Sequence, residues 1–305
     1  ATTAHPQWDP ARRVVVNAAL VMTGASPHVL LLEHAPSSRT RRVIARLPRK
    51  RLPYVHSFGL TAEHVLVVEH PLTVKPTHLL WSNAGFLDHF RWDEAAGTTV
   101  TRVDRATGKE VRHHAPAAFV FHTVNAYEVR GATVLDVVAH DAGIVDRLRT
   151  PALAQEMLAL TGRYVRWILH HDREQVETQE ITAAPLEFPN VDYARAHGRA
   201  HDAAWGAATE GDASGLASHV MRIDTRTGEV RRFADDGFVV GEPVFVGRPG
   251  GAGQGDGVIL AVGGSTRGDE SRLYVLDAAT LDLLATARVP TTVPLGFHGS
   301  FFRAA

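Results

Sequence analysis

The sequence predicts an all-β chain of the propeller type, built from repeated antiparallel blades, on three observations. Its apolar runs are short, β-branched or aromatic and bounded by turn residues. One hairpin signature recurs three times, and only one segment reads as a convincing helix. The runs are Val14-Val15-Val16, Val65-Leu66-Val67-Val68, Ala118-Phe119-Val120-Phe121, residues 133–138 and residues 258–262. All are too short for helices, and Gly, Pro, Asp or Asn closes each of them.

The recurring signature is an aliphatic residue followed by Asp-x-x-Thr. It appears at Val103-Asp104-Arg105-Ala106-Thr107-Gly108, Ile223-Asp224-Thr225-Arg226-Thr227-Gly228 and Leu276-Asp277-Ala278-Ala279-Thr280-Leu281. Asp and Thr side chains hydrogen-bond turn backbone and Gly supplies a positive φ, so each copy predicts a hairpin between two strands. The helix candidate starts at Thr150-Pro151, runs through strong helix formers to Leu160 and stops at Gly162. Residues 247–257 are glycine-rich but lack the Gly-Lys-Ser/Thr ending of a phosphate loop, which predicts a surface loop between strands. No linker interrupts the pattern, so residues 1–305 are expected to form a single domain.

Composition removes several classes of function. The formal charge is −1, and no basic block is long enough for a nucleic-acid surface. The densest, Arg41-Arg42 to Arg51, is broken by apolar residues and reads as a solvated hairpin or loop. With no cysteine, disulfides, thiolate zinc, iron–sulfur ligation and thiol nucleophiles are all absent. No apolar run is long enough to span a bilayer and no leader pattern opens the chain. The chain starts Ala-Thr-Thr-Ala-His without methionine, so a preceding segment is expected to have been removed or left out.

Among 18 histidines, four stand out by setting. His5 lies in Thr3-Ala4-His5-Pro6, and His56 precedes Ser57-Phe58-Gly59. His122 ends an apolar strand, and His298 sits between Gly296 and Gly299. Propeller blades repeat at roughly 40–50 residues, so gaps of that size or more suit ligands delivered from separate blades to one axis. Taken singly, each histidine reads more readily as a hydrogen-bonded core or rim residue than as a ligand.

Taken in order, these contexts resemble the carotenoid cleavage oxygenases. That family includes the retinal-pigment-epithelium isomerase and the lignostilbene dioxygenases. The matching residues are His56-Ser57-Phe58, the segment from Phe121-His122 to Asn125-Ala126, and Phe297-His298-Gly299 near the end of the chain. Between them lie Glu187-Phe188-Pro189 and Glu242-Pro243-Val244-Phe245-Val246, and Asn125-Ala126-Tyr127-Glu128 and Val68-Glu69-His70-Pro71-Leu72 also fit. The resemblance runs from His5 to Phe302.

It implies a seven-bladed propeller of the carotenoid oxygenase type, incomplete at its N-terminus, with few short helices. It further implies one Fe(2+) held by His5, His56, His122 and His298, with Glu187 and Glu242 as carboxylates orienting those ligands. No other catalytic or cofactor-binding residue is implied. The reaction would be oxidative cleavage of a conjugated double bond by dioxygen, in a carotenoid or apocarotenoid; a lignostilbene-type stilbenoid is the alternative. Neutral imidazoles suit a divalent first-row metal, and four of them in an octahedron leave positions for dioxygen. The family carries a longer segment before its first metal histidine, with a third orienting glutamate, so this chain reads as the C-terminal two-thirds of the family domain. Part of the substrate tunnel is expected to belong to that segment. Two rivals are an inactive propeller scaffold and a histidine-bound zinc hydrolase. The apolar stretch from Leu72 to Trp81, with Phe86 and Phe90, borders a tunnel mouth, touches a membrane surface or packs in the core. A cytoplasmic location is expected, with peripheral membrane contact left open and oligomeric state unread.

Overall fold

A computed structural model of the chain describes residues 2–22, 26–80, 85–149, 162–209, 216–294 and 296–302. The helix expected at 150–160 lies outside them. The chain divides into two compact units: Ala1–Arg149 with Arg166–Gln179 and His197–Arg199, and Thr150–Val165 with Glu180–Ala196 and Ala200–Ala305. The chain passes between the units several times, so no single linker separates them.

In the first unit, Gln7–Asp9, Val14–Val21, His28–His34 and Arg42–Pro48 form a four-stranded antiparallel meander. A second four-stranded sheet runs in the order Glu110–Ala115, Thr98–Asp104, His64–Glu69, Phe58–Leu60. Period-two side-chain alternation places Val16, Ala18, Val29 and Leu31 of the first sheet on one face. They pack there against Phe58, Leu60, Val65, Val67 and Val103 of the second, making one dry core between two blades. Phe119–Val129 pairs with Ala132–His140 beside it.

In the second unit, Ala203–Ala208, His219–Asp224 and Val230–Phe233 are antiparallel neighbours. Phe238–Val240 and Val244–Gly247 both pair with Gly257–Ser265, which continues into Ser271–Asp277 and Leu283–Val289. Trp205, Val220, Ile259, Tyr274 and Leu276 are the centre of its core. Helices among the described residues are short, Gly143–Arg149 being seven residues and Tyr193–Ala196 four. None is long and apolar enough to cross a membrane.

The three Asp-x-x-Thr signatures fold alike. In each, the aspartate Oδ1 accepts backbone N–H groups two and three residues on and the threonine hydroxyl. These charge-assisted bonds outweigh the slight burial of Asp224 and hold its carboxyl below the usual range. Gly108 and Gly228 close two of the turns at φ 72° and 74°, and Leu281 takes the same place at φ 63°. Each turn joins the last two strands of its sheet, the edge hairpin of a blade. The residue after the aspartate is buried in every copy, as Arg105, Thr225 and Ala278. Its N–H bonds the carbonyl of Glu63, Asp202 and Gly257 respectively.

The basic stretch lies on the second strand of an antiparallel hairpin, as expected, with Arg41, Arg42, Arg46, Lys50 and Arg51 exposed, and Arg49 is its one departure from that reading. Arg42–Pro48 is a strand whose apolar residues face the core, which turns the intervening cations toward carboxylates on neighbouring strands. Arg42 pairs with Glu33 at 2.8 Å, and the nearly buried Arg49 pairs with Glu69 at 2.7 Å and Glu110 at 2.8 Å. The glycine-rich segment is a loop between two paired strands, as expected. In the stretch beginning at Leu72, Leu72, Val74 and Phe90 are core, whereas Phe86 is exposed.

Candidate metal centre

Three of the four histidines meet in the first unit, and local chemistry explains how. His5 sits on an extended segment anchored where Thr3 N–H bonds the Ala18 carbonyl at 2.9 Å and the Thr3 hydroxyl bonds Asn17 Oδ1 at 2.6 Å. His56 lies in the short connection between Leu52–Pro53 and Phe58–Leu60. His122 occupies an irregular stretch of Phe119–Val129, where pairing with Ala132–His140 shifts register between Val120 and Thr123 and again before Asn125. Bulges of this kind re-aim a side chain that a regular strand would point elsewhere.

A single carbonyl ties the three segments together. Phe58 O accepts from Gln7 Nε2, two residues after His5, and from Thr123 Oγ1, next to His122, at 2.9 Å. Ser57, adjacent to His56, accepts the Thr123 N–H at 2.9 Å. The three segments are therefore cross-bonded within two residues of each histidine.

The ring centroids are 4.7 Å apart for His5 and His56, 5.0 Å for His5 and His122, and 5.4 Å for His56 and His122. Their planes cross at 50° to 79°, so the rings are not stacked. Imidazoles bound to one cation at about 2.1 Å through nitrogen, at right angles to each other, would have centroids roughly 4.5 Å apart. The observed triangle is close to that arrangement, and its donors are of one chemical type that suits a divalent transition metal. The residues present fit a metal.

Behind His56 stands an aromatic wall. Phe121 meets its ring edge-on at 5.2 Å, Phe119 packs on Phe121 at 4.5 Å, and Tyr54 flanks Phe119 at 5.6 Å. His70 packs on Phe119 at 4.6 Å and accepts the Val120 N–H through Nε2 at 3.1 Å. Burial, reinforced by the neighbouring His56, pulls the His70 pKa down to about 3, so this imidazole is neutral. A base depressed in the folded state contributes stability above its unfolded pKa near 6.5, and that stability is lost as pH falls toward 3. Below pH 6.5 the slope from this group approaches roughly 1.4 kcal/mol per pH unit. Denaturant unfolding of His70→Gln, which keeps an acceptor for Val120, should show a shallower acid limb between pH 6.5 and 4 than the parent. A cavity of about 250 Å³ borders His56, lined by Ala4, Leu20, Val29, Tyr54 and Phe86 among others.

The second unit holds the remaining three candidates. Glu242 grips the His298 segment with both oxygens: Oε1 lies 3.2 Å from His298 Nδ1, and Oε2 accepts the Gly299 N–H at 2.7 Å. This contact fixes the outer nitrogen of the ring, as ligating histidines require. Glu187 is 2% exposed and accepts the Phe188 N–H at 2.8 Å. Phe188 has φ 50°, a left-handed backbone that costs a non-glycine residue about 1 kcal/mol or more. It lies where the pairing with Ala203–Ala208 slips register, and its ring meets His298 edge-on at 5.7 Å. Gly206 permits this close packing, because a Cβ there would come within 2.7 Å of the Glu187 carbonyl.

Sequence reasoning missed Tyr54 and His70 as parts of the wall. The signal for both was their place at fixed offsets from matched motifs, two residues before His56 and inside Val68–Leu72.

The family model described as retinal pigment epithelial membrane protein matches residues 1–303. A carotenoid isomerooxygenase of Galleria mellonella is 27% identical over 98% of this chain and 63% of its own length. The Synechocystis apocarotenoid-15,15'-oxygenase is 27% identical with the same coverage, and the human mitochondrial carotenoid-cleaving dioxygenase is 26% identical over 85% of this chain and 52% of its own. The crystal structure of a cobalt-substituted Synechocystis apocarotenoid oxygenase superposes with a TM-score of 0.83 at 22% identity, covering 99% of this chain and 65% of that one. That likeness establishes the fold, a β-propeller of the carotenoid oxygenase type. The chain spans between about half and two-thirds of the length of these relatives.

Proposed function

The chain belongs to the retinal pigment epithelial membrane protein family, and from that premise we propose that it carries the metal centre of an oxygenase cleaving a conjugated double bond in a carotenoid or apocarotenoid. The observation that carries the proposal is the convergence of His5, His56 and His122 beside an apolar cavity. His298 is the fourth ligand in this reading, and one ferrous iron per chain is the metal. Glu242 keeps the outer nitrogen of His298 engaged, which leaves its other nitrogen for coordination. Glu187 is assigned the same kind of role.

Bound iron would supply the electron density that activates dioxygen. The protein's own contribution is placement. Leu20, Val29 and Phe86 offer an apolar bed for a polyene, and the wall of Phe119 and Phe121 keeps water from the rings. No side chain is needed to move a proton, because the reaction joins dioxygen to a hydrocarbon bond and yields two carbonyls. The names of the three relatives above, all carotenoid or apocarotenoid oxygenases, favour polyenes over stilbenoids as substrates.

Anaerobic loading with ferrous iron, followed by desalting and elemental analysis, should leave one iron per chain. Incubation of the loaded chain with a β-apocarotenal under ¹⁸O₂ should then give labelled aldehydes, and none without oxygen. A chain that retains no iron is the scaffold rival. Turnover that persists without oxygen is the hydrolase rival, and cleavage confined to a stilbene shifts the substrate class.

A further inference from the structure

Val120 and Thr123, on either side of His122, give their backbone N–H groups to side chains of one neighbouring sheet. Val120 N–H donates to Nε2 of His70 at 3.1 Å, and Thr123 N–H donates to the Ser57 hydroxyl at 2.9 Å. Just before them, Ala118 N–H donates to the Thr98 hydroxyl at 2.9 Å. His70 follows the strand His64–Glu69, Ser57 precedes Phe58–Leu60 and Thr98 opens Thr98–Asp104, three strands of the same sheet. In a regular strand the N–H groups that point to one side are two residues apart. That spacing holds from Ala118 to Val120, whereas Thr123 lies three residues further on. The extra residue coincides with the register shift between Val120 and Thr123, and His122 lies within it.

We propose that His70 is a positioning residue for the metal centre: with Ser57 it clamps the two ends of this bulge and so fixes the aim of His122. The proposal rests on the reading of His122 as a ligand. A backbone N–H can only donate, so Nε2 of His70 is the acceptor. Val120 is 1% exposed and His70 2%, which puts the bond out of reach of solvent. A buried N–H without an acceptor is costly, so losing this one favours a strand that pairs Val120 differently and bulges elsewhere. A slip of one residue turns a side chain to the opposite face. The place of the bulge therefore decides whether the His122 ring meets His5 and His56 or turns away from them. His70 is itself held in place. Phe119, next to Val120, packs on its ring at 4.6 Å, and Pro71 restricts His70 to extended backbone.

The test reads the metal-free parent first. In ¹⁵N-labelled chain, a scalar coupling across the bond should link the Val120 amide nitrogen to His70 Nε2. A His70 proton found on Nε2 instead overturns the proposal without any variant having to fold. Gln and Met then make a matched pair at position 70, similar in length and volume, of which only Gln carries an oxygen acceptor. In His70→Met the imidazole signals of metal-free His122 should move, and cobaltous affinity should fall roughly 10- to 100-fold, the range for losing support behind a ligand. His70→Gln should bring both back close to the parent. Equal losses in the two variants make His70 a packing residue and nothing more, and no loss in either removes it from the site; each result overturns the proposal. If His70→Met does not fold, Ser57→Ala opens the other end of the clamp by a smaller change and should move the same His122 signals. Signals that stay in place there sink the idea. If the parent binds no cobalt while the His122 signals still follow the acceptor at position 70, the metal-centre reading fails and the clamp is upheld.

Discussion

His122→Ala should empty the metal centre while leaving the chain folded. His122 is 8% exposed, and its ring stands nearly perpendicular to those of both His5 and His56. Removing it takes away one corner of the triangle and leaves the proposed ligand set incomplete. Loss of an outer partner alone weakens metal sites by up to about 100-fold, so loss of a ligand should exceed that. After anaerobic ferrous loading and desalting, iron should fall from one per chain to near background. Thermal unfolding of the metal-free variant should stay close to that of the metal-free parent, because the strand is held by Ser57, Thr123 and the Phe58 carbonyl rather than by the ring. His114→Ala, at an exposed position of the strand Glu110–Ala115, is the matched control and should keep its iron. Full iron retention by His122→Ala would remove the centre from this site.

The largest stability effect is expected at Arg105. Its side chain is fully buried, 2.7 Å from Asp9 and 3.4 Å from Glu33, and it also donates to the carbonyls of Thr61 at 3.0 Å and Ala62 at 3.3 Å. It follows Asp104 in the hairpin signature, at the position where the other copies carry Thr225 and Ala278. Here the sequence has placed a cation that staples one blade to the next. Burial pushes the Asp9 carboxyl up, but the Arg12 N–H and the Arg105 guanidinium outweigh it and hold the group below its usual range. Glu33 is held down in the same way by Arg42 and Arg105. Arg105→Ala leaves Asp9 without its paired guanidinium and Glu33 with Arg42 alone, and breaking such a buried pair costs about 3–5 kcal/mol. In a chain of this size that is roughly 5–8 °C in melting temperature. The sign in pH is also set: depressed carboxylates stabilise the fold above about pH 4, and that stability is lost as they protonate. The gap between parent and variant should therefore narrow in acid. A variant melting within a degree or two of the parent at pH 7 would mean that the ion cluster holds nothing together.

Much of the fold was legible before any coordinates. The Asp-x-x-Thr hairpins were readable because their bonds are local: Asp104, Asp224 and Asp277 cap the turns that follow them whatever packs nearby. The strands were readable because alternation is a property of neighbouring residues. Within the basic stretch, Arg49 was unreadable for the opposite reason. Whether Arg49 is solvated depends on Glu69 and Glu110, which are distant in sequence and adjacent only across strands. His70 was unreadable on similar grounds, since its neutrality comes from burial against Phe119 and a bond from Val120.

The same division runs through the site. Setting picked out His5, His56, His122 and His298, and the resemblance of the ordered motifs to the carotenoid cleavage oxygenases is what named them, with Glu187 and Glu242, as candidates. Only the tertiary structure decided which rings meet at what angles, that a bulge aims His122, that one carbonyl of Phe58 binds three segments, and that Tyr54 stands behind His56. Those facts depend on the register of strands far apart in the chain, and register is set by the packing of whole blades rather than by any local string of residues.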